Sequence, residues 1–489
     1  MPIAIYTKIA RDITITITHK HVMSAYYGCV NALHASRNIV LIIITNFTLT
    51  ACTLISPKPP EVAINLPKDW NQNTQMSTPS LSWAPLMTDN TLVKLIQQSI
   101  QENHTLQQQQ LAVDIAHESL IQSNTALYWP TLSAGIDATR SDSGLGPQNI
   151  MSVSGNLDYE INLWGQLSDA KKSAAFSYAS TRATFEYTKQ NTIRNTATAW
   201  FNLIAAQQQI ILYQQRLLNL QNNLSIVESQ YRSGLSTALN VYLARNDLEQ
   251  EQATLLENQQ ILADSKRALN LLIGDYPITH SYSTIFSLPK IHSSVANTLP
   301  SKLLTQRPDL QAAWLDVLQQ NAEVAIAHKA RFPQLRLTAN IGRSAREFNN
   351  LSNAPTLWSV GGSLLQPILN GGELKAAEKI SRLTLKNLEI VYEQQVFESF
   401  SVVHSLLEQK SSLLAQQQHT QQAASNAQQA ADLALDQYQK GLIDYPTVLE
   451  SQRRAFDAEL RLIVLQQNLA INTVDLLFNF AIEPNLSTL

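Results

Sequence analysis

The sequence predicts an α+β membrane protein in which long α-helical coiled-coil hairpins adjoin a transmembrane β-barrel. Three patterns predict it: two very long runs without glycine or proline, four segments of alternating apolar and polar residues, and the recurrence of both patterns in each half of the chain. With 489 residues, 44% apolar and 15% charged, the chain fits neither a disordered protein nor a bundle of membrane helices. Two cysteines exclude a disulfide framework and a four-thiolate zinc site, and a formal net charge of −3 argues against a nucleic-acid partner.

The two halves of the chain repeat one unit. Three landmarks of the first half return in the second at offsets between 203 and 207 residues. They are Ala126-Leu-Tyr-Trp-Pro130-Thr-Leu132 with Ala330-Arg-Phe-Pro333-Gln-Leu335, Gly165-Gln-Leu167 with Gly372-Glu-Leu374, and Tyr231-Arg-Ser-Gly234-Leu235 with Tyr438-Gln-Lys-Gly441-Leu442. Because separate landmarks agree within a small insertion, we predict an internal duplication.

Each repeat contains a breaker-free run, from Gln166 to Ser233 and from Glu373 to Lys440, and each run is 68 residues long. In the first run apolar residues recur every seven positions, at Leu203, Ile210, Leu217, Leu224 and Tyr231. This spacing is typical of a coiled coil. The pattern resumes after the Gly-Leu pair that ends each run, so each repeat is predicted to form a helical hairpin. A helix of this length would extend about 100 Å.

The segments before each long run alternate with a period of two, as strands with one apolar face do. In the first repeat they are Leu132 to Ala138 and Met151 to Ile161, and in the second Leu335 to Ile341 and about Thr356 to Gln366. Each is near the 9 to 11 residues of a membrane strand. Four strands cannot close a barrel in lipid, so chains must pool their strands. Two chains would give eight strands and a filled lumen, whereas three would give twelve strands and room for a channel.

The N-terminus has the pattern of a bacterial signal peptide. A short apolar run, Ile39 to Leu49, follows Arg37 and leads into Leu49-Thr50-Ala51-Cys52. This order resembles a lipobox, with Cys52 at the lipidated position and outer-membrane lipid as the anchor. Thr53 in place of an aspartate resembles lipoproteins kept in the outer membrane. A buried thiol after a chance apolar run is the alternative, and Met23 is an alternative start.

Seven motifs in this order resemble the TolC-like outer-membrane efflux protein family, in its lipidated branch serving resistance-nodulation-division pumps. They are Tyr159-Glu-Ile-Asn-Leu-Trp-Gly165, Tyr231-x-x-Gly-Leu235, Leu269-Asn-Leu-Leu-Ile-Gly274, Leu304-x-x-Arg-Pro-Asp-Leu310, Arg331-Phe-Pro333, Gln366-Pro-Ile-Leu-Asn-Gly-Gly372 and Tyr438-x-x-Gly-Leu442. The resemblance implies a homotrimer with a twelve-stranded outer-membrane barrel and a periplasmic helical tunnel. It also implies a passive exit duct for small molecules or ions, opened by a periplasmic adaptor (a membrane fusion protein) and an inner-membrane pump.

The resemblance places the two hairpin tips at the periplasmic end, where an adaptor would meet the channel. The tip residues are Ser233, Gly234 and Leu235 in the first repeat and Lys440, Gly441 and Leu442 in the second. Asp444 and Glu450 follow the second tip, and the resemblance makes them candidates for a gate of carboxylate rings. The alternatives are a plain helix-helix turn, which needs glycine for a positive φ, and solvated surface acids.

No catalytic or metal-binding constellation and no cofactor are predicted, since the ten histidines are scattered and no phosphate-binding loop occurs. The expected organisation comprises a signal peptide (1–51), a lipid-anchored extended segment (52–90), a first repeat (91–274), a linker (275–300), a second repeat (301–482) and a tail (483–489). Two other functions stay open. One is a channel for type I protein secretion, and the other is a coiled-coil scaffold outside the membrane.

Overall fold

The computed structural model describes residues 60, 82–142, 144, 146–277, 286–289, 291 and 306–484. Its elements in chain order are α1 (Asn90–Glu102), α2 (His104–Tyr128), β1 (Thr131–Asp142), β2 (Pro147–Ile161), α3 (Gln166–Arg232), α4 (Ala238–Leu272), α5 (Pro308–Lys329), β3 (Gln334–Ala345), β4 (Leu357–Leu365), α6 (Glu373–Gln439) and α7 (Tyr445–Asn479). Cys52 and most of the expected linker lie outside the described residues. None of the helices in these ranges combines the length and the apolar character that a membrane crossing requires.

The two long helices predicted from the breaker-free runs are confirmed. Helices α3 and α6 have 67 residues each, which corresponds to about 100 Å of helix. Each begins after a glycine in the left-handed conformation, Gly165 with φ 79° and Gly372 with φ 87°. A side chain would be strained there, so the glycine lets the chain turn sharply from strand into helix.

The Arg-Pro-Asp motif has the helix-starting role that its sequence indicates. Pro308 is the first residue of α5 and Asp309 lies in its first turn, where both residue types are favoured. The structure adds a contact: the buried guanidinium of Arg307 donates two hydrogen bonds to Asp309 and one of 2.8 Å to Asn479 Oδ1. The motif therefore also fastens α5 to the end of α7.

The apolar residues that recur every seven positions in α3, which we call the α3 stripe, are buried in the middle of the helix but not at its end. Leu203 and Ile210 are buried, but Tyr231 at the end of the stripe is half exposed, and Leu220 and Val227 are buried instead. A straight helix turns once in 3.6 residues, so a strict seven-residue spacing drifts around its surface. The stripe therefore identifies the packed face of α3 in its middle and not at its tip.

The four strands form one antiparallel sheet in the order β1-β2-β3-β4. Its register separates polar from apolar residues row by row. One row across all four strands is Leu132, Leu157, Ala339 and Val360. The adjacent row is Ser133, Asn156, Asn340 and Ser359. Because paired residues share a face of a sheet, one face is apolar and the other polar.

The main hydrophobic core joins α1, α3, α4, α6 and α7 near the middle of the long helix α3. Trp200 is fully buried there, and its ring meets Phe286, in the expected linker, at 4.6 Å between centroids. Trp164, which follows β2, donates its indole N–H to Pro333 O at 2.6 Å and contacts Phe332. Trp164 therefore links the end of β2 to the residues just before β3.

Helix α5 lies between α3 and α6, whereas α2 packs mainly against α3. The two helices are repeat counterparts, so their different surroundings are informative. Among the described residues, α2 lacks the second long neighbour that α5 has.

Candidate functional site

The first hairpin tip is a tight turn built by its glycine. Gly234 has φ 76°, and its N–H bonds to Tyr231 O at 3.0 Å, while the N–H of Leu235 bonds to Gln230 O at 2.8 Å. This pair of bonds is the arrangement that ends many helices at a left-handed glycine. Thr237 then starts α4, its side chain accepting from the backbone N–H of Asn240.

The second tip has the same geometry. Gly441 has φ 73°, its N–H bonds to Tyr438 O at 2.9 Å, and the N–H of Leu442 bonds to Gln437 O at 2.9 Å. The tip leucines are exposed, Leu235 by 80% and Leu442 by 69%. The turn geometry therefore explains the glycines, whereas nothing in the described turn covers the leucines.

A second hydrophobic cluster, which we call the tip cluster, fastens the two hairpins to each other near their ends. The first hairpin contributes Val227, Val241 and Ala244, and the second contributes Tyr438, Tyr445 and Val448. Sequence reasoning did not find this cluster. The signal available was the pair of tyrosines flanking the second Gly-Leu, but their partners lie some 200 residues earlier in the chain.

The two tyrosines of the tip cluster differ in their polar contacts. Tyr438 donates a hydrogen bond from its hydroxyl to Gln230 Oε1 of the first hairpin, and its ring centroid lies 5.7 Å from that of Tyr445. The Tyr445 hydroxyl is buried and has no hydrogen-bond partner among the described residues. Burial, followed by the nearby charge of Asp247, raises the pKa of Tyr445 above its ordinary value.

Asp444 is the N-cap of α7. Its side chain accepts hydrogen bonds from the backbone N–H of Thr447, at 3.2 Å, and from the Thr447 hydroxyl. These bonds lower the pKa of Asp444. Asp444 is therefore charged at neutral pH, and its position has a local explanation as a helix cap.

Glu450 lies further along α7 and is paired with two arginines. Arg454 Nε lies 2.7 Å and Arg453 Nε 3.0 Å from its carboxylate. Hydrogen bonds from Arg454 and Arg453 lower the pKa of Glu450. The structure gives each candidate its own partners and does not bring Asp444 and Glu450 into contact.

An open groove of about 690 Å³ runs beside Glu450 between α6 and α7. It is lined mainly by Asn426, Ala427, Ala430, Pro446, Glu450 and Arg454.

The first tip has no acid matching Asp444. There Asn240 donates its side-chain amide to Ser236 Oγ at 3.2 Å. Within the described ranges, no three His, Cys, Asp or Glu side chains assemble as a metal site.

Comparison with known proteins connects this architecture to bacterial efflux. A family model described as outer membrane efflux protein matches residues 95–275 and 299–478. The pyoverdine export outer membrane protein OpmQ of Pseudomonas putida is 27% identical over 453 residues, covering 87% of this chain and 94% of that protein. The probable outer membrane lipoprotein SilC of Salmonella typhimurium is 24% identical, covering 89% and 97%. The crystal structure of the Campylobacter jejuni CmeC outer membrane channel superposes with a TM-score of 0.79 at 20% identity, covering 87% of this chain and 94% of CmeC.

Proposed function

Because this chain belongs to the outer membrane efflux protein family and is an efflux channel of the outer membrane, we propose that three copies form the exit duct of a tripartite pump. The observation that carries this proposal is the two-faced sheet with open edges. Its apolar rows suit lipid and its polar rows suit a water-filled lumen. Its outer strands, β1 and β4, have no second partner strand among the described residues. In lipid those edges must pair, and three four-stranded sheets give the twelve strands of a conducting barrel.

The helices support the same assembly. The α2 face away from α3 exposes Leu111, Ile115 and Ile121, and α6 exposes a similar series that includes Ile380, Leu383 and Ile390. The second repeat indicates the partner of these faces. Within one chain α5 packs between α3 and α6, so its counterpart α2 would pack between α3 and the α6 of another copy. Such a contact joins different surfaces of two copies, which forms a ring when the rotation between neighbouring copies closes, as a one-third turn does for three copies.

The hairpin tips are proposed to contact the periplasmic adaptor. Exposed Leu235 and Leu442 would be the apolar anchors of that contact, flanked by Ser233, Gly234, Lys440 and Gly441. Asp444 and Glu450 remain the proposed gate positions, where a trimer would hold three copies of each carboxylate. The negative charge of Asp444 at neutral pH supports a ring of three carboxylates that attracts cations and repels anions. The arginines beside Glu450 reduce the net charge of the ring formed by its three copies.

Anchoring is proposed to occur through lipid on Cys52 after removal of residues 1–51, leaving an extended segment, two repeats and their linker. The similarity to SilC, a probable outer membrane lipoprotein, supports this proposal. The proposed cargo is small molecules or ions, chosen by the inner-membrane pump. OpmQ is named for pyoverdine export. The proposed duct conducts its cargo passively, without a reaction catalysed by the chain.

The placement of the protein is tested by expressing the full chain in a Gram-negative cell and separating its membranes on a density gradient. We expect it in the outer-membrane fraction as a trimer that dissociates only when heated in detergent. A Cys52→Ala variant should lose radiolabelled lipid. Unlabelled monomer in the soluble fraction would contradict the proposal.

A further inference from the structure

All four strand-helix junctions lie at the same end of the sheet, measured along the strands. Because the strands are antiparallel, the start of β1, the end of β2, the start of β3 and the end of β4 share that end. The residues just outside it are therefore gathered at one level, although they are more than 200 residues apart in the chain. If the sheet spans the membrane as proposed above, this level is the interface on the helical side.

Three lysines at this level lack an acidic partner among the described residues. Lys375 and Lys379 lie in the first two turns of α6, are exposed, and stand four positions apart on one helix face. Lys171 lies in the second turn of α3, with its ammonium 5.2 Å from the ring centroid of Tyr128. All three lie within about 10 Å of the start of their helix by helical rise, a distance comparable with the headgroup layer and the Debye length.

The buried acids beside these lysines are already neutralised by other cations. Glu378 accepts from Arg331 and Arg382, each at 2.8 Å, and its Oε1 lies 3.1 Å from His328 Nδ1. Asp169 is paired with buried Lys329 and with Lys172. Glu373 has no described ion pair, but it lies two positions before Lys375, and residues two positions apart lie on different faces of a helix. The charge left uncompensated on this surface is therefore positive.

Aromatic and aliphatic side chains flank the lysines at the same end of the sheet. Tyr128, the last residue of α2, and Trp129, which follows it, are 59% and 70% exposed. Ile368 and Leu369, between β4 and α6, are more than 90% exposed. Aromatic rings and lysines at the ends of apolar segments are characteristic of side chains that sit among lipid headgroups. A soluble anion would use the lysines but would have no use for these apolar neighbours.

We propose that Lys171, Lys375 and Lys379, with Tyr128 and Trp129, form a collar that binds the phosphate groups of anionic phospholipids in the leaflet facing the helices. This inference rests on the proposed membrane placement of the sheet. The lysine ammonium groups attract the phosphates, and the aromatic rings seat against the glycerol and upper acyl region. The collar would fix the depth of the channel, which in turn sets the height at which the hairpin tips meet their partner.

The test uses the full-length protein reconstituted in nanodiscs that contain phosphatidylcholine alone or with an increasing fraction of phosphatidylglycerol. Bound lipid is counted by native mass spectrometry after release. The wild type should retain phosphatidylglycerol in preference to phosphatidylcholine. The triple variant K171Q/K375Q/K379Q should lose that preference by about tenfold to a hundredfold at low salt, since a lysine near an anionic surface contributes about 1 kcal/mol.

A matched control removes three cations elsewhere. Lys94, Lys266 and Arg461 lie on α1, α4 and α7 and have no described ion pair, so K94Q/K266Q/R461Q should keep the wild-type preference. Equal loss in both variants would overturn the collar in favour of a net-charge effect. Displacement of phosphatidylglycerol by millimolar inorganic phosphate would overturn it in favour of a soluble anion. A trimer that forms in phosphatidylcholine but shows no lipid preference refutes the collar alone, whereas failure to form a trimer refutes the proposed function.

Discussion

The indole Nε1 of Trp200 donates a 2.8 Å hydrogen bond to Asp89 Oδ2, joining the middle of the long helix α3 to the start of α1. The other oxygen of the same carboxylate accepts from the backbone N–H of Thr91 at 2.8 Å and caps α1. One side chain thus serves two groups: the indole N–H of a fully buried tryptophan and the first turn of a helix.

Replacing Asp89 by alanine should therefore cost about 2–4 kcal/mol, the sum of a lost cap and an unsatisfied buried N–H. An asparagine at this position could still cap α1 but would present an amide N–H to the indole unless it flipped, so D89N should fall between wild type and D89A. Denaturant unfolding in detergent, followed by tryptophan fluorescence, measures this order. Equal stability of the three proteins would contradict the assigned roles.

Two glycines with similar backbone angles should differ in their tolerance of a methyl group. Gly441 at the second tip has φ 73° with no atom within 4 Å of an added Cβ, so G441A should cost only the left-handed strain of about 1–2 kcal/mol. Gly274 after α4 has φ 80°, and its Cβ would meet Glu102 Cβ at 2.7 Å and the Glu102 carbonyl oxygen more closely.

G274A should therefore cost roughly 2–5 kcal/mol, because overpacking adds to the same strain. The two variants are compared by the heating midpoint for dissociation of the trimer. A lower midpoint for G441A than for G274A would show that the tip turn, and not the contact of Gly274 with α1, is the more constrained.

The ion cluster at Glu378 predicts a defined pH dependence. Burial alone would raise the pKa of Glu378, but hydrogen bonds from Arg382, Arg331 and His328 outweigh it and lower the pKa to about 2. The unfolded value is about 4.3, so folding favours the charged form. The stabilisation is present above about pH 4.3 and is lost as the pH falls through about 2.

E378Q should accordingly lower stability by about 1–3 kcal/mol at neutral pH, and the gap to wild type should narrow only below about pH 4. E373Q, which alters an exposed acid of the same helix without a described ion pair, should leave stability nearly unchanged. Urea unfolding at several pH values measures the gap. A gap that is unchanged down to pH 2 would contradict the ionised cluster.

The two tyrosines of the tip cluster should respond differently to loss of a hydroxyl. Y438F removes the hydrogen bond to Gln230 and should weaken the contact between the hairpins by about 1 kcal/mol. Y445F removes a buried hydroxyl without a described partner and should change stability by no more than about 0.5 kcal/mol in the unfavourable direction. Planar-bilayer recordings should show more frequent opening for Y438F than for Y445F. The reverse order would contradict the role of Tyr438 in holding the tips together.

The sequence was informative where local rules decide the structure. The absence of glycine and proline predicted the ends of α3 and α6 to within one residue, and alternation predicted the faces of all four strands. It was less informative where distant segments meet. The tip cluster and the Glu378 ion cluster combine residues from separate segments, and no local periodicity identifies such partners. The drift of the α3 stripe shows a further limit, since spacing alone does not reveal which turn of a long helix is covered.

In the proposed trimer, α2 of one copy lies against α6 of the next in a ring of three. The repeat indicates which residues meet: within one chain Ser173 of α3 donates a hydrogen bond to Glu323 of α5. Their counterparts are Ile380, eight residues after Gly372 as Ser173 is after Gly165, and Ser119, seven residues before Ala126 as Glu323 is before Ala330.

Disulfide cross-linking of outer membranes from cells carrying S119C/I380C tests this claim most directly. We expect covalent products at two and three times the chain mass and none larger, because the ring closes at three. The control S173C/E323C should cross-link within one chain and leave the mass unchanged. The trimeric duct would be contradicted if the control cross-link forms while S119C/I380C stays monomeric. Products of S119C/I380C larger than three chains would contradict it as well.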